Sequence, residues 1–270
     1  MKILVLGSNG MAGHVVSKYL KEQNYEVLTA ARSNADYMFD ATNKLSIDIL
    51  LDTTEFDYVI NCVGLLVQES NTRPDNAAKV NSWFPQYLSY KLQNSSTKLI
   101  HLSTDCVFDG KQGPYTEQSL HSETNYYGRS KSLGEVNNNK DITFRMSIIG
   151  PEIKNGVGLF NFIYNNPDTD IPGWENAWWN GITTLQLAKC IDNYMKNPCV
   201  TGIYHLVNND ISINKYELLC LINKIYNLNK NIIKTKGPKD INKILIDTRQ
   251  EFQANIPDYD TQLIEMKKYV

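Results

Sequence analysis

The stretch Ile3-Leu4-Val5-Leu6-Gly7-Ser8-Asn9-Gly10-Met11-Ala12-Gly13 decides the fold. Its continuous apolar run, rich in branched residues, reads as a strand buried on both faces. The glycines that follow read as a turn feeding an amphipathic helix whose apolar positions include Val15, Val16 and Leu20. Strand, glycine turn and helix in that order form a cradle for phosphate. Gly7 permits the tight turn, Gly10 lets the backbone approach a pyrophosphate, Gly13 allows close helix–strand packing, and the helix start supplies N–H donors and positive dipole. Asn9 and Met11 lie in the same turn and are expected among the contacts, so a dinucleotide cofactor is implied.

Outward from that unit, strand-like runs recur at 26–30, 37–40, 58–62 and 98–102, with helical stretches over 43–51 and 74–92 between them. Such alternation predicts an α/β fold, a Rossmann-like doubly wound parallel sheet whose ligands gather at the carboxyl ends of its strands. Arg32 follows the second strand where a carboxylate would bond a ribose 2′-hydroxyl. An arginine there suits a 2′-phosphate, which favours NADPH and leaves NADH compatible. Asp40 ends the third strand, where it can meet adenine or cap the next helix. Asn61, Val63 and Gly64 follow the fourth strand and are expected to border the cofactor, together with Asn81 midway along 74–92.

Tyr127 and Lys131 stand four residues apart at the start of a helix and so share one face. A cation beside a phenol lowers its pKa, so the pair is expected to exchange a proton near neutrality. Reduction of a carbonyl needs such an acid, because hydride arriving at carbon leaves charge on oxygen.

Composition removes several function classes. The net charge is −2 without a basic cluster, which argues against nucleic acid. Apolar runs fall short of the ~18–20 residues of a membrane span, and the opening residues lack a signal-peptide pattern, so a soluble, cytoplasmic protein is expected. Cys62, Cys106, Cys190, Cys199 and Cys220 are scattered with no C-x-x-C pair, which indicates neither a disulfide framework nor a metal site.

The ordered motifs Ser103-Thr104-Asp105-x-Val107-Phe108-Asp109-Gly110, Tyr127-Gly128-x-x-Lys131, Leu133-Gly134-Glu135, Phe144-Arg145-x-Ser147 and 202–207 carry a more specific likeness. Over roughly residues 1–225 the chain resembles the extended short-chain dehydrogenase/reductase family, and within it the dTDP-4-dehydrorhamnose reductases and related nucleotide-sugar reductases. The resemblance implies Tyr127 as acid, Lys131 on the nicotinamide ribose and Thr104 on the substrate oxygen. Ser103, one residue earlier, is turned to the opposite face by strand alternation.

Cys106 stands where related dehydratases place Glu and typical rhamnose reductases Tyr, so dehydration is disfavoured. GDP-fucose synthases, which epimerise and reduce, place a Cys at what corresponds to this position; a thiol of lowered pKa can remove the acidic proton beside a ketone. No His lies between His121 and His205 to act as its acid partner.

The resemblance divides the chain into a cofactor-binding domain, 1–150, to which 183–207 return, and a smaller substrate-binding lobe, 151–182 and 208–270. A helix over 156–164 is expected above the cleft. Asp105, Trp174, Trp178, Trp179 and Asn180 are expected to meet the sugar or base of the substrate. The implied function is NADPH-dependent reduction of the 4-keto group of a UDP- or dTDP-linked 6-deoxyhexose, with epimerisation at carbon 3 open, for polysaccharide assembly. Two rivals remain, a nucleotide-sugar epimerase that retains NAD and a non-catalytic NADP-sensing binding protein. A homodimer is compatible with all of these.

Overall fold

The computed structural model describes residues 1–153, 156 and 158–269. Its centre is a seven-stranded sheet in the order β11-β6-β5-β4-β1-β2-β3. The strands are β1 (Lys2–Leu6), β2 (Glu26–Ala31), β3 (Tyr37–Met38), β4 (Tyr58–Asn61), β5 (Lys98–Thr104), β6 (Ile142–Met146) and β11 (Gly202–His205), all paired in parallel. This is a Rossmann-like α/β fold.

Alternation along β1 sends Ile3 and Val5 to one layer and Leu4 and Leu6 to the other, and all four are buried. Helices α1 (Met11–Glu22) and α8 (Thr184–Lys196) cover the first face. The second is covered by α2 (Lys44–Asp52) and α5 (Phe84–Leu92). Among the described residues no helix is long and apolar enough to cross a membrane.

Two local departures from the sequence expectations have plain causes. The third strand stops at Met38, because Phe39 turns into the core and Asp40 closes a turn, its Oδ1 accepting from the Thr42 N–H and hydroxyl at 2.8 Å each. The stretch 74–92 is a helix over Pro74–Ala77, a π turn over Ala78–Trp83 and then α5, and the π turn aims Asn81 inward.

Beyond β6 the chain adds small sheets. β8 (Asp170–Trp174) pairs with β13 (Asn231–Thr235), and β9 (Ala177–Trp179) lies between β12 (Ile213–Asn214) and β14 (Ile241–Asn242). The helix expected over 156–164 is seen as α7 (Leu159–Asn165), and position 157 lies outside the described residues. Helix α9 (Lys215–Tyr226) opens with a capping box from Asn214 to Glu217.

A buried polar network ties these parts together. Arg145, wholly buried, donates to both Glu135 oxygens at 2.8 and 2.6 Å, to His205 Nε2 at 2.8 Å and to His121 Nε2 at 2.9 Å. Ser103 donates to Glu135 at 2.6 Å, and His205 Nδ1 donates to the Ile246 carbonyl at 2.9 Å. Burial alone would raise the Glu135 carboxyl, but the bonds and charge of Arg145, with the Ser103 bond, outweigh it and hold the group at about 2.

Candidate active site

The glycine turn is close-built. Gly7 sits at φ +76°, and a Cβ on Gly13 would lie 2.2 Å from the Gly7 carbonyl oxygen, so neither position tolerates a side chain. Gly10 is exposed at the start of α1, with no side-chain cap and no acidic residue in the first helical turn. Free N–H groups at the positive end of a dipole fit a dinucleotide pyrophosphate. Asn9 donates to the Ser33 carbonyl at 2.5 Å, tying the turn to the loop after β2 on which Arg32 is exposed.

Helix α6 (Tyr126–Gly134) begins at Asn125, whose side chain accepts from the Gly128 N–H at 2.8 Å. A Cβ on Gly128 would lie 2.3 Å from the Cys106 carbonyl oxygen. That close approach sets Tyr127 against the turn Asp105–Val107, which follows β5, and brings the Thr104 hydroxyl beside its phenol. Lys131, one turn along α6, is buried and donates to the Leu102 carbonyl at 2.6 Å. Cys62, at the end of β4, lies near the Lys131 ammonium on one side and against Gly7 on the other, so the reacting groups and the cradle are continuous.

The electrostatics correct one expectation. The Tyr127 phenol is not lowered toward neutrality. Burial, then Cys106, raise it above the ordinary phenol value, and only the Thr104 hydroxyl opposes them. Lys131 is committed to the β5 carbonyl, and burial brings its ammonium down to about 8 despite Glu135 and Cys62. At neutral pH Tyr127 therefore holds its proton, the state in which it can act as an acid.

Thr104 Oγ1 donates to Asp105 at 3.1 Å and accepts from the Cys106 N–H at 3.1 Å. Burial raises the Asp105 carboxyl against the pull of Lys243 and Thr104. Burial and Asp105 push the Cys106 thiol up to about 12. Such a thiol is protonated at neutral pH and is a poor base, contrary to the lowered pKa that proton abstraction beside a ketone asks for.

Several residues expected at the ligand are also held by the scaffold. Asn61 is fully buried, its Oδ1 accepting from the Val63 N–H at 3.0 Å and its Nδ2 donating to His101 at 3.1 Å. Asn81 clamps the backbone of Leu65 from both sides, at 2.8 and 3.1 Å, and donates to Ser130. Both amides shape the loop carrying Val63 and Gly64, and Gly64 stays exposed. Asp40 is exposed, and its Oδ1 closes the turn before α2. Trp179 stacks on Tyr259 and lies over Gly181, and Asn180 is buried with its amide on the Leu245 backbone. Trp174 carries Gly237 against its ring, with the Lys215 ammonium 5.3 Å from its centroid. Of the three expected tryptophans Trp178 is the most open, at 39% exposure.

One residue beside the Asp105–Val107 turn escapes the sequence reading altogether. Lys243, in the C-terminal segment, lies near Cys106 and Asp105. The sole sequence signal for it is the strand-like run 241–246, more than a hundred residues from the turn it meets.

The chain has relatives among known proteins. The family described as RmlD substrate binding domain matches residues 1–155. The methionine adenosyltransferase 2 subunit beta of Xenopus tropicalis is 25% identical, over 84% of this chain and 72% of that protein. A dTDP-4-keto-6-deoxy-D-glucose reductase of Streptomyces niveus is 33% identical over 49% of this chain and 45% of its own. Among solved structures, the dTDP-4-dehydrorhamnose reductase of Bacillus anthracis in complex with NADP superposes with a TM-score of 0.85 at 19% identity, covering 100% of both chains.

Proposed function

Because the chain belongs to the RmlD substrate binding domain family, we propose that it is an NADPH-dependent reductase of a 4-keto group on a nucleotide-linked 6-deoxyhexose. The observation that carries this reading is the meeting of the Thr104 hydroxyl, the protonated Tyr127 phenol and the buried Lys131 ammonium beside an uncapped glycine cradle. When bound, NADPH supplies the hydride. Thr104, turning its hydroxyl hydrogen from Asp105, donates to the ketone oxygen, and Tyr127 gives that oxygen its proton as charge develops there. Lys131, on the same helix face as Tyr127 and anchored on the Leu102 carbonyl, holds the nicotinamide ribose. The loop held by Asn61 and Asn81 walls the cofactor side and limits water.

Incubation with NADPH and a panel of UDP- and dTDP-linked 4-keto-6-deoxysugars tests the reading. Loss of NADPH absorbance with one or more of them is the expected result, and none with any of them would refute it. Epimerisation at carbon 3 through Cys106 is not favoured, since its thiol keeps its proton. The product formed in heavy water is accordingly expected to carry no deuterium at that carbon. Likeness over most of its length to a protein named as a subunit gives the binding-protein reading some support. That reading, unlike reduction, expects NADPH to bind without being consumed.

Two further outcomes follow from the cofactor side. Arg32→Ala is expected to lower kcat/KM for NADPH roughly 10- to 100-fold, the worth of a charged hydrogen bond, while NADH changes little. Equal losses with both cofactors would exclude a role on the 2′-phosphate. The Lys131 ammonium loses its proton as pH rises through about 8. Since kcat/KM reports the free protein, its value for NADPH is expected to fall on the alkaline side of that pH, and Lys131→Arg is expected to remove the limb.

A further inference from the structure

The segment that delivers Lys243 is held from two sides. Asn242 N–H donates to the Gly110 carbonyl at 2.8 Å, and Tyr115 exchanges backbone bonds with Ile244 and Ile246 at 2.8 and 2.7 Å. On the other side Lys243 N–H donates to the Trp178 carbonyl at 3.1 Å, and the Asn180 amide bonds both backbone groups of Leu245 at 2.7 and 2.9 Å. Leu245 is buried with Val107 and Phe108. In an extended segment alternate side chains share a face, so Lys243 points to the same turn as Leu245. Its Cγ lies 3.3 Å from where a Cβ on Gly110 would sit, which fixes the direction of the stem.

Resting on the reductase reading above, we propose that Lys243 is a substrate-positioning residue, its ammonium donating to a ring-substituent oxygen of the nucleotide sugar next to the reacting ketone. Two lysines then flank the reacting groups. Lys131 lies beneath them on the cofactor side, against Leu102 and Cys62, and Lys243 faces them from the substrate side, against Cys106 and Asp105. Burial works against the Lys243 charge, but its surroundings, with the Asp105 and Glu123 carboxyls among them, more than restore it, so the donor is an ammonium. Asp105 accepts from Thr104 at 3.1 Å and makes no salt bridge with Lys243 among the described residues. Three donor hydrogens on a compact head suit a sugar oxygen.

The test compares Lys243→Met, Lys243→Arg and Lys239→Met, the last removing the same charge from an exposed position on the same segment. Lys243→Met is expected to lower kcat/KM for the 4-keto sugar roughly 10- to 100-fold, carried mainly by KM, with NADPH Kd and Tm unchanged. Lys243→Arg is expected to recover most of that loss, and Lys239→Met to behave as the parent. A change within twofold in Lys243→Met, or a loss matched by weaker NADPH binding or a lower Tm, would overturn the proposal. Should the parent protein itself reduce no 4-keto sugar, the reductase reading falls, and this inference with it.

Discussion

Replacing Tyr127 by phenylalanine is expected to lower kcat by about 10²- to 10⁴-fold, the usual contribution of a positioned general acid. The substitution removes one oxygen and leaves the ring that packs against the Cys106 turn. Helix α6 is started by Asn125 and packed through Gly128, and neither depends on the phenol. NADPH binding is therefore expected to survive, since the cradle and Lys131 are untouched, and Tm to stay near that of the parent. The loss should fall on kcat, because the proton is transferred only in the transition state. If Tyr127→Phe turned over at the parental rate, proton delivery would have to come from another group, and Tyr127 would be reduced to a packing residue.

The second large effect concerns stability. Arg145→Met is expected to destabilise the fold by roughly 3–5 kcal/mol, the cost of leaving a buried charge without its partner. Glu135 would then be a buried carboxylate retaining only Ser103 and His121, and His205 would lose the donor to its Nε2. Urea denaturation followed by circular dichroism measures the difference. Adding Glu135→Leu to Arg145→Met is expected to restore part of it, because no unpaired charge is left buried.

The intact network also carries a pH signature. The Glu135 carboxyl is held at about 2, below an unfolded value near ~4.3, so its contribution is complete above ~4.3 and is lost as pH falls through about 2. Burial and the neighbouring Arg145 depress the proton affinity of His205 in the fold, so acidification below about 6.5 protonates the unfolded chain first and also weakens stability. Both groups therefore favour the folded state at neutral pH over acid.

The fold was legible because its signals are local. A buried strand, a glycine turn and an amphipathic helix occupy one short run, and the alternation that follows has few parallel-sheet solutions. The order Thr104, Tyr127, Lys131 was legible for a similar reason, since one helix and one strand end bring these residues together. Asparagines are where the sequence says least about the site. Asn61, Asn81 and Asn180 sit at strand ends or a helix distortion beside the cleft, where an amide can serve a ligand or a strained backbone equally well. Only the coordinates reveal that each is taken up by a peptide group. Asp40 is the same case in a turn.

Lys243 illustrates the opposite limit. Its neighbours Gly110, Tyr115, Trp178 and Asn180 come from two distant loops, and nothing near position 243 in the chain encodes that meeting. The Tyr127 phenol is a third kind of failure. Helical spacing correctly places a lysine on its face, but spacing does not say that the Lys131 head turns to the Leu102 carbonyl or that burial dominates the phenol.

The most direct measurement follows the hydride itself. The protein is incubated with a UDP- or dTDP-linked 4-keto-6-deoxyhexose and NADPH carrying deuterium at its transferable position, and the product is examined by NMR. Deuterium at carbon 4 of the sugar, in a single configuration and in equal amount to the NADP formed, is the expected result. A sugar reduced without the label, or NADPH bound and never oxidised by any such ketone, would contradict it.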